Sequence, residues 1–427
     1  MESFAQVKLH LFNSVFFVKI CADIEINQDQ EEHLTNSSRL MIDFVDVGHG
    51  PCERRIRQTG LDLLKRSNSL VRQFECSVDF FYAASPFFAL GRRKTLFAIV
   101  SEDNKTIAMV PVEVGAESHL TGQYFSVFRH PSGLTRSGLI CPEHRLEEVI
   151  AAVFKALREK YPKAVGVSLE GLNSDGALVA ILLNTFAGHD LLPRASKKQF
   201  FLDLTAFERP EHYLATRSHN LRRSIRRGRK KLEALGPCGF AASGSQGPWT
   251  FDDIRRMDQK TWRARPREGD IPKLMLEMCE NLSMLPDNPQ NCLIRALTIN
   301  ETPVALYFSI IDQGVSYGFK NTFDPDFAEA SPGIVAFLSF VEDTMQQNVE
   351  RIEFMTGSAY LKPFANRERS LRQDVIFFPT LSGRTAYVAA KSARVLRNAL
   401  KARAEDTHGR TGNMTRRMIP VRAQARA

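Results

Sequence analysis

The sequence lacks the features of membrane-spanning, disulfide-bonded and zinc-binding proteins. It contains no run of about 18 apolar residues, the minimum for a helix that crosses a bilayer. Cysteine is scarce, with 7 in 427 residues, and the odd number without C-x-x-C spacing predicts neither a disulfide framework nor a metal site. Free cysteines are typical of a reducing compartment, so we expect a cytoplasmic protein.

The sequence signatures of several enzyme classes are missing as well. There is no H-E-x-x-H zinc motif, no G-x-S-x-G nucleophile turn and no P-loop, so hydrolase or NTPase activity is not expected. The most apolar early stretch, VKLHLFNSVFFVKICA (7–22), is interrupted by His10, Asn13 and Lys19 and has no small-residue cleavage pattern. It is a poor signal peptide, and residues 1–60 are expected to form an N-terminal extension.

Acidic residues are almost absent from the C-terminal segment. Residues 384–427 hold 11 Lys or Arg against 2 Asp or Glu, a surplus that accounts for the whole formal net charge of +9. The rest of the chain is balanced, whereas a dedicated nucleic-acid-binding domain usually has a basic body. The segment opens with helical spacing at Val388, Val395 and Leu396. It is expected to be a basic helical or disordered tail that could weakly contact an anionic membrane.

The chain repeats one order of predicted elements. Two hairpins are predicted, in TLFAIVSEDNKTIAMVPVEV (95–114) around Asp-Asn-Lys and in LIRALTINETPVALYFSIID (293–312) around Asn-Glu-Thr-Pro. Each hairpin is followed by an amphipathic helix and a short apolar strand; these lie at 144–160 and 164–169, and at 332–348 and 351–355. The repeat predicts an α/β fold of two tandem mixed-sheet modules flanked by helices, unless the likeness of the hairpins is accidental.

The stretch SHNLRRSIRRGRKKLEAL (218–235) is predicted to be a strongly basic helix. It carries seven Lys or Arg from Arg222 to Lys231, and Ser218 is a plausible N-cap. Its apolar residues share one helical face: Leu221, Ile225, Leu232 and Leu235. Each like-charge pair at i, i+4 costs about 0.2–0.5 kcal/mol. The helix therefore needs either acidic partners from other elements or the phosphates of a cofactor, a lipid or a nucleic acid.

A second informative stretch is VSYGFKNTFDPDFAEASPGIVAF (315–337). A strand containing Tyr317 leads into a loop with Asp324, and Ser331-Pro332-Gly333 opens a helix with Ser at the N-cap and Pro at the first helical position. A helix start presents unpaired N–H groups and a partial positive charge, so this turn is a candidate anion site.

The order of these motifs resembles GNAT-superfamily acetyltransferases of the type found in bacterial cellulose and exopolysaccharide gene clusters. The resemblance covers residues 75–380 and is carried by NLRRSIRRGRKKLEALG, PVALYFSI, YGFKNTFDPDFAEASPG and EFMTGSAYLK. It implies two tandem GNAT-like halves, at 61–200 and 201–383, with a basic helical or disordered tail at 384–427. Fem-type aminoacyltransferases have the same arrangement.

The resemblance also implies an activity and a donor site. The expected reaction is N- or O-transfer of an acyl group from acetyl-CoA or another acyl-CoA to a polysaccharide, an envelope precursor or a small-molecule acceptor. In GNAT enzymes the acyl-CoA arm lies between two diverging parallel strands, which here are 315–320 and 351–355. The pyrophosphate rests on the next helix start; the cofactor-binding residues are then Ser331, Pro332, Gly333 and Ile334.

Within this frame the candidate catalytic residues are Glu353 and Tyr317. Glu353, where the family has Asp, could take the acceptor proton, and Tyr317 could protonate the departing thiolate. The alternatives are a strand-edge carboxylate paired with Lys or Arg, and a core tyrosine. Tyr360 and Lys362 are candidate substrate contacts or a plain surface turn.

Three further residues are given roles at the site. Asp324 and His130 could shape the mouth between the halves, and Arg223 on the basic helix could contact substrate phosphates. Trp262 is expected to pack within the second half.

Two other functions remain open from the sequence. One is a Fem-type aminoacyltransferase that uses charged tRNA, with the basic helix contacting the acceptor arm. The other is a non-catalytic member of the superfamily that binds a biosynthetic partner, or a membrane through its basic tail.

Overall fold

One large mixed β-sheet organises the computed structural model. The structure describes residues 40–46, 53–66, 73–88, 94–118, 122–127, 139–174, 176–193, 196–244, 247–261, 271–284, 292–355 and 359–416. Within these ranges 13 strands belong to a single sheet, and from Met41 onward the described residues form one compact unit.

The first half supplies six strands and six helices among the described residues. In chain order they are β1 (Leu40–Asp46), α1 (Glu53–Arg66), α2 (Gln73–Cys76), α3 (Val78–Ala83), α4 (Ser85–Phe88), β2 (Lys94–Glu102), β3 (Lys105–Ser118), β4 (Gly122–Val127), α5 (Leu146–Lys160), β5 (Ala164–Asn173), α6 (Ala177–Thr185) and β6 (Asp190–Pro193). A 3₁₀ turn, Glu143–Arg145, leads into α5.

The second half continues the same sheet. Its elements are β7 (Lys197–Asp203), α7 (Pro210–Ala215), α8 (His219–Glu233), β8 (Cys238–Ser243), α9 (Phe251–Gln259), α10 (Ile271–Ser283), β9 (Cys292–Ile299), β10 (Thr302–Asp312), β11 (Val315–Phe323), α11 (Pro332–Gln346), β12 (Arg351–Glu353), β13 (Arg367–Phe377) and α12 (Leu381–Arg416). Short 3₁₀ helices at Pro325–Ala330 and Ala359–Leu361 flank α11 and β12.

Each half contains an antiparallel meander followed by a parallel neighbour. In the first half β2, β3 and β4 pair antiparallel and β5 joins β4 in parallel. In the second half β9, β10 and β11 do the same, and β12 joins β11 in parallel. The prediction of an α/β fold with two tandem mixed-sheet modules flanked by helices is therefore confirmed.

The halves exchange strands where they meet. The sheet order is β1-β2-β3-β4-β5-β13-β7-β12-β11-β10-β9-β8, with β6 also pairing β13. Thus β13, late in the chain, pairs with β5 of the first half, while β7, which begins within the predicted first half, pairs with β12 of the second. The predicted division at 200/201 falls inside β7. Because the two strands cross over, backbone hydrogen bonds join the halves into one sheet.

Both predicted hairpins form, and their turns explain why. The central residues are Asp103 and Asn104 in one turn, with φ of 48° and 62°, and Asn300 and Glu301 in the other, with φ of 48° and 67°. Two consecutive residues in the left-handed region make the type I′ turn, whose twist matches that of paired strands. Asp and Asn tolerate this conformation better than most residues.

One face of the second-half sheet is covered partly by the first half. Phe74 on α2 and Phe80 on α3 pack with Phe308 and Tyr317 in a cluster that also contains residues of α9 and α10. The rings of Phe74 and Tyr317 lie 5.0 Å apart. This contact, like the strand exchange, ties the two halves together.

The opposite face packs against α11 and carries a buried ion pair. Arg295 on β9 is fully buried; its Nε lies 2.6 Å from Asp343 Oδ2 on α11, and its Nη1 donates to Ser309 Oγ at 2.5 Å. The guanidinium stacks on Phe340 at 4.9 Å. A charge this deep is stable only when paired and hydrogen-bonded, so the pair fixes how α11 lies on the sheet.

Among the helices that the structure describes, none combines the length and the apolar composition needed to cross a membrane.

Candidate active site

Two parallel strands separate in the second half. β11 and β12 are in register at Val315–Arg351, Ser316–Ile352 and Tyr317–Glu353. β12 then ends at Glu353, while β11 continues to Phe323 and stays paired only with β10. The predicted strand 315–320 is therefore present, the predicted strand 351–355 ends at Glu353, and the pairing between the two stops after the third register pair.

A β-bulge lies where the strands part. Ser309 of β10 is opposite Gly318, and Phe308 is opposite Lys320, so Phe319 is an extra residue in β11. Bulges bend a strand and are frequent next to active sites. Gly318 is required by its surroundings, because a Cβ at this position would lie 2.4 Å from the Tyr307 hydroxyl oxygen.

Tyr307 places a phenol beside the first residue of β11 that lacks a partner on β12. The side chain is 6% exposed, and its ring stacks on Phe340 at 4.3 Å between centroids. Among the described residues its hydroxyl has no hydrogen-bond partner. Burial, reinforced by the neighbouring Tyr360, raises the pKa of Tyr307, so the phenol is protonated at neutral pH and can donate a proton.

The helix start that follows β11 presents a backbone amide that could bind an anion. α11 begins at Pro332, which has no N–H, and the Ile334 N–H turns back to the Ser331 carbonyl at 3.0 Å. The Gly333 amide is left without a hydrogen bond among the described residues. A Cβ on Gly333 would contact the Phe323 ring at 3.3 Å, so glycine keeps this approach open. No acidic residue lies in the first turn.

Ser331 differs from its predicted role as an N-cap. It precedes Pro332 as expected, but its backbone is left-handed, with φ 51° and ψ 52°, and its side chain makes no capping hydrogen bond. The preceding 3₁₀ helix causes this, because the Ser331 N–H closes that helix on the Ala328 carbonyl at 2.9 Å. The Ser331 hydroxyl is therefore not engaged with the helix that it precedes.

The basic helix α8 lies directly against the start of α11. The N-cap prediction is confirmed, since Ser218 Oγ accepts from the Leu221 N–H. A Cβ on Gly228 would lie 2.6 Å from the Ala330 carbonyl oxygen, which sets a close backbone contact. Lys231 Nζ also donates to the Glu329 carbonyl at 3.0 Å.

Most of the positive charge on α8 is unneutralised. Arg229 pairs with Glu342 at 2.8 Å, and Lys231 lies 3.7 Å from a Glu329 carboxylate oxygen. The other cations are exposed and form no ion pair with a described residue: Arg222, Arg223, Arg226, Arg227 and Lys230. Together with the Gly333 amide, these cations suit a phosphorylated ligand.

Glu353 lies in a buried ion cluster. Its side chain is fully buried; its carboxylate accepts from Arg369 Nη2 at 2.5 and 2.7 Å, and Arg351 Nε lies 2.7 Å away. The Arg369 guanidinium stacks on Phe201 at 4.2 Å. This is the arginine-paired carboxylate considered as the alternative for Glu353, and its role as a base stays a prediction.

Tyr317 packs in the core on the face away from α11. It is fully buried beside Phe74 and belongs to the cluster with α9 and α10, whereas Tyr307 belongs to the cluster with α11. This matches the core alternative for Tyr317, and its role as proton donor stays a prediction.

The predicted substrate contacts lie at the surface around these elements. Asp324 caps the 3₁₀ helix by accepting from the Asp326 N–H and binds Lys260 Nζ at 2.6 Å. Tyr360 is 48% exposed, with its ring 5.9 Å from that of Phe364. Lys362 is exposed as well. Arg223 lies on the solvent side of α8 and is exposed, whereas the Asp324 side chain is 14% exposed and already paired with Lys260.

Two residues named from the sequence, His130 and Trp262, lie outside the described residues. Sequence reasoning missed Tyr307 and the buried ion pair of Lys320 on β11 with Asp258 on α9. The sequence did contain one signal for Tyr307, namely Gly318, because a glycine within a strand indicates a bulge or a close approach of another group. In the part of the chain that the structure covers, no group of three His, Cys, Asp or Glu could hold a metal ion.

Comparison with known families identifies the second half. Residues 219–363 match the family described as "Acetyltransferase (GNAT) domain". The match starts at α8 and extends past β12, so it contains both separating strands, the bulge and α11. No curated protein sequence matches the chain.

Solved structures share the fold at low sequence identity. FemX is 9% identical, with 74% of this chain and 95% of that chain covered and a TM-score of 0.51. The C-terminal domain of a putative lysylphosphatidylglycerol synthetase from Agrobacterium fabrum is 16% identical, covering 81% and 97%, with a TM-score of 0.48. A tandem GNAT protein from the clavulanic acid pathway is 11% identical, covering 80% and 100%, with a TM-score of 0.44. The family match and the likeness to FemX confirm the predicted GNAT-like fold.

Proposed function

We propose that the GNAT domain at residues 219–363 catalyses acyl transfer from acyl-CoA to an amine or hydroxyl acceptor. The observation that carries the proposal is the separation of β11 and β12 after Tyr317 and Glu353, inside the matched domain. A gap between parallel strands leaves backbone groups of β11 unpaired with β12, and a pantetheine amide can hydrogen-bond to such groups as a strand would.

The donor's phosphates are assigned to the junction of α8 and α11. The Gly333 amide and the dipole of α11 favour negative charge at the helix start, and Ser331, Pro332 and Ile334 shape the same turn. The exposed cations of α8, including Arg223, add charge beside it. Acetyl-CoA or another acyl-CoA supplies the thioester; the chain's own residues bind and orient it.

The chemical step needs one group to remove a proton and one to return it. The acceptor nitrogen or oxygen attacks the thioester carbonyl, the new C–N or C–O bond forms, and the C–S bond breaks. Glu353 is the candidate base for the acceptor proton. A tyrosine phenol gives a proton to the thiolate sulfur. Tyr317 is the candidate from the sequence, and Tyr307 is favoured by its position beside the bulge, next to the first residue of β11 that has no register partner on β12.

The acceptor side is proposed from the exposed residues around the site. Tyr360, Lys362 and Asp324 present a ring, a cation and a carboxylate, which suit a hydroxyl-rich or amine-bearing acceptor. A carbohydrate or envelope precursor in cytoplasmic exopolysaccharide biosynthesis fits this chemistry, and the sequence resemblance supports the same class.

The test is ligand binding with matched helix-start variants. The full chain is expected to gain thermal stability with acetyl-CoA or a longer acyl-CoA, and Gly333→Asp should abolish the gain because a carboxylate would occupy the anion site. Gly176→Asp makes the same change at the start of α6 and should leave the gain intact. No gain with any thioester, or an equal loss in both variants, would refute the donor assignment.

Turnover distinguishes the candidate proton donors. If Tyr307 gives the proton, Tyr307→Phe should lower kcat by about 10²-fold or more with little change in KM. Tyr317→Phe should then leave kcat nearly unchanged. Binding without turnover under all donors, and insensitivity to Glu353→Gln, would favour a non-catalytic member.

A second candidate function rests on the exposed cations of α8. Five unneutralised Arg and Lys on one helix also suit the phosphate backbone of tRNA, as a Fem-type aminoacyltransferase would require. Binding of tRNA should then weaken steeply with salt, because each phosphate contact releases a counterion. A salt-insensitive interaction, or one unchanged by Arg223→Gln with Arg227→Gln, would remove this candidate.

A further inference from the structure

The last helix, α12, carries an apolar stripe that no other described residue covers. Leu381, Val388 and Val395 follow one another at seven-residue intervals and therefore share one side of the helix. They are 77%, 53% and 64% exposed. Leu396 and Leu400 extend the stripe and are 63% and 57% exposed. Isolated exposed aliphatic side chains are common, but a continuous row of five indicates a contact surface.

The opposite side of α12 is what attaches it to the body. Ala386 is buried, and Tyr387 and Ala390 pack around it against β4, β5 and β13. A Cβ on Gly383 would lie 2.1 Å from the Phe378 carbonyl oxygen, so the helix lies directly on the backbone there. The apolar stripe thus faces away from the sheet, and covering it would not disturb the packed side.

Beyond Arg394 the helix leaves the body. The Arg394 guanidinium donates to the Pro193 carbonyl, and every residue from 395 to 400 is exposed. The helix nevertheless continues to Arg416, a projection of about 33 Å at 1.5 Å per residue. Isolated helices are marginal in water, and the exposed residues 395–400 leave this part of the helix available to another surface.

The charge on α12 identifies the kind of surface. Between Leu381 and Leu400 the helix has four cations and no acid: Arg384, Lys391, Arg394 and Arg397. The segment 384–427 as a whole holds 11 Lys or Arg and 2 acids. Two copies packed through this stripe would bring these like charges together, with few acids to pair them. An anionic bilayer offers phosphates to the cations and an apolar layer to the stripe.

We propose that α12 is a basic amphipathic helix that docks the protein onto an anionic phospholipid surface. Leu381, Val388, Val395, Leu396 and Leu400 insert at the boundary between headgroups and acyl chains. Arg384, Lys391 and Arg397 lie near the headgroup phosphates. The helix lies along the surface, and the body stays outside the bilayer, held through the packed side of α12.

The test is sedimentation of the full chain with lipid vesicles. Vesicles of equal parts phosphatidylglycerol and phosphatidylcholine are expected to bind it at least about tenfold better than phosphatidylcholine alone, with binding that falls as salt is added. The variant Val395→Ser/Leu396→Ser/Leu400→Ser changes only residues beyond the packed part of α12. It should lower the partition by at least about tenfold. Leu235→Ser/Met284→Ser removes equally exposed apolar side chains elsewhere and should bind as the parent does.

A second pair of variants tests the charge. Arg384→Gln/Lys391→Gln/Arg397→Gln should lower the partition to phosphatidylglycerol vesicles by about 100-fold, since each cation near such a surface contributes about fivefold. The matched set Arg222→Gln/Arg223→Gln/Arg226→Gln on α8 should have little effect. Equal effects of the two sets would show that net charge, not α12, governs binding.

Two outcomes would overturn the proposal. One is equal binding to both vesicle types, or none to either. The other is a dimer in sedimentation velocity that Val395→Ser/Leu396→Ser/Leu400→Ser converts to monomer, because a second copy would then be the occupant of the stripe.

Discussion

The contact between Gly318 and Tyr307 gives the sharpest test of the site geometry. A methyl group at residue 318 would lie 2.4 Å from the Tyr307 hydroxyl oxygen and 3.2 Å from Cε1 and Cζ of the ring. The ring cannot easily move away, because it is buried and stacked on Phe340 at 4.3 Å. Gly318→Ala must therefore displace either the phenol or the bulged strand.

The size of the effect can be worked out from packing. Inserting a methyl group into a filled core costs about 1–3 kcal/mol. Part of this cost is offset because alanine loses less backbone entropy on folding than glycine does. We expect a net loss of about 1–2 kcal/mol for Gly318→Ala. Tyr307→Phe alone should be nearly neutral, since the hydroxyl has no hydrogen-bond partner among the described residues.

The double variant removes the closest clash. With Phe at 307 the inserted methyl meets only the ring atoms, at a tight but tolerable distance, so Gly318→Ala should cost about 1 kcal/mol less in that background. The alanine backbone effect is the same in both backgrounds and cancels in the cycle. Urea unfolding of the four proteins, with unchanged m-values, measures the coupling.

Gly333→Ala is the control for the glycine change itself. Its Cβ would meet only the Phe323 ring, at 3.3 Å, and that side chain is 36% exposed and free to shift. The helix gains propensity from alanine, so this variant should be neutral or slightly more stable. If Gly318→Ala costs the same with Tyr or Phe at 307, the close approach at the bulge is wrong.

Three further substitutions test two buried ion pairs and one pair nearer the surface. Asp343→Asn leaves the Arg295 guanidinium buried without its carboxylate and should lower the unfolding free energy by about 3 kcal/mol, measured in urea. Glu353→Gln should also destabilise the fold strongly, since two arginines share this carboxylate; lost kcat with an unchanged urea midpoint would instead favour its role as base. Burial raises the pKa of Asp324, but Lys260 and the Asp326 amide outweigh this and leave it below the ordinary value. The stability from this pair is present above the unfolded pKa and lost as pH falls through the folded one. Lys260→Met should therefore lower the urea midpoint at neutral pH and have no effect in acid; an equal loss at both would contradict the pairing.

Local patterns explain which elements could be predicted. The hairpins follow from apolar runs around Asp103-Asn104 and Asn300-Glu301, residues suited to left-handed turns. Ser218 was recognisable as a cap because a hydroxyl residue stands directly before a periodic apolar face. These features depend on neighbours in the chain, so the sequence records them directly.

The environment of the site residues depends on distant contacts and could not be predicted. Glu353 is paired through Arg369, which lies on β13, and that guanidinium stacks on Phe201 of β7. β7 pairs with β12, and β13 lies on the other side of β7, only because the halves exchange strands; no local pattern marks that exchange. Tyr307 lies within PVALYFSI, which reads as an ordinary apolar strand, so only the folded sheet places its phenol beside Gly318.

The two halves have corresponding helix starts, α5 in the first and α11 in the second. The charges around these two helix starts differ, and those around α11 suit an anion. In the first half α5 connects the parallel strands β4 and β5, as α11 connects β11 and β12. Its first turn, however, contains Glu147 and Glu148. Arg145 at its N-cap already forms ion pairs: its Nη1 lies 2.7 Å from Glu102 Oε2, and its Nη2 lies 2.8 Å from Glu148 Oε2. A phosphate at that helix start would face two carboxylates and no unpaired Arg145 guanidinium, and like charges at such distances repel.

At α11 the same position has no acid in the first turn and lies against a helix with five unneutralised cations. The two halves therefore share an architecture but differ in electrostatics. Among the residues that the structure describes, the second half combines the end of strand pairing, a helix start without acids and positive charge, and the GNAT family match covers that same half.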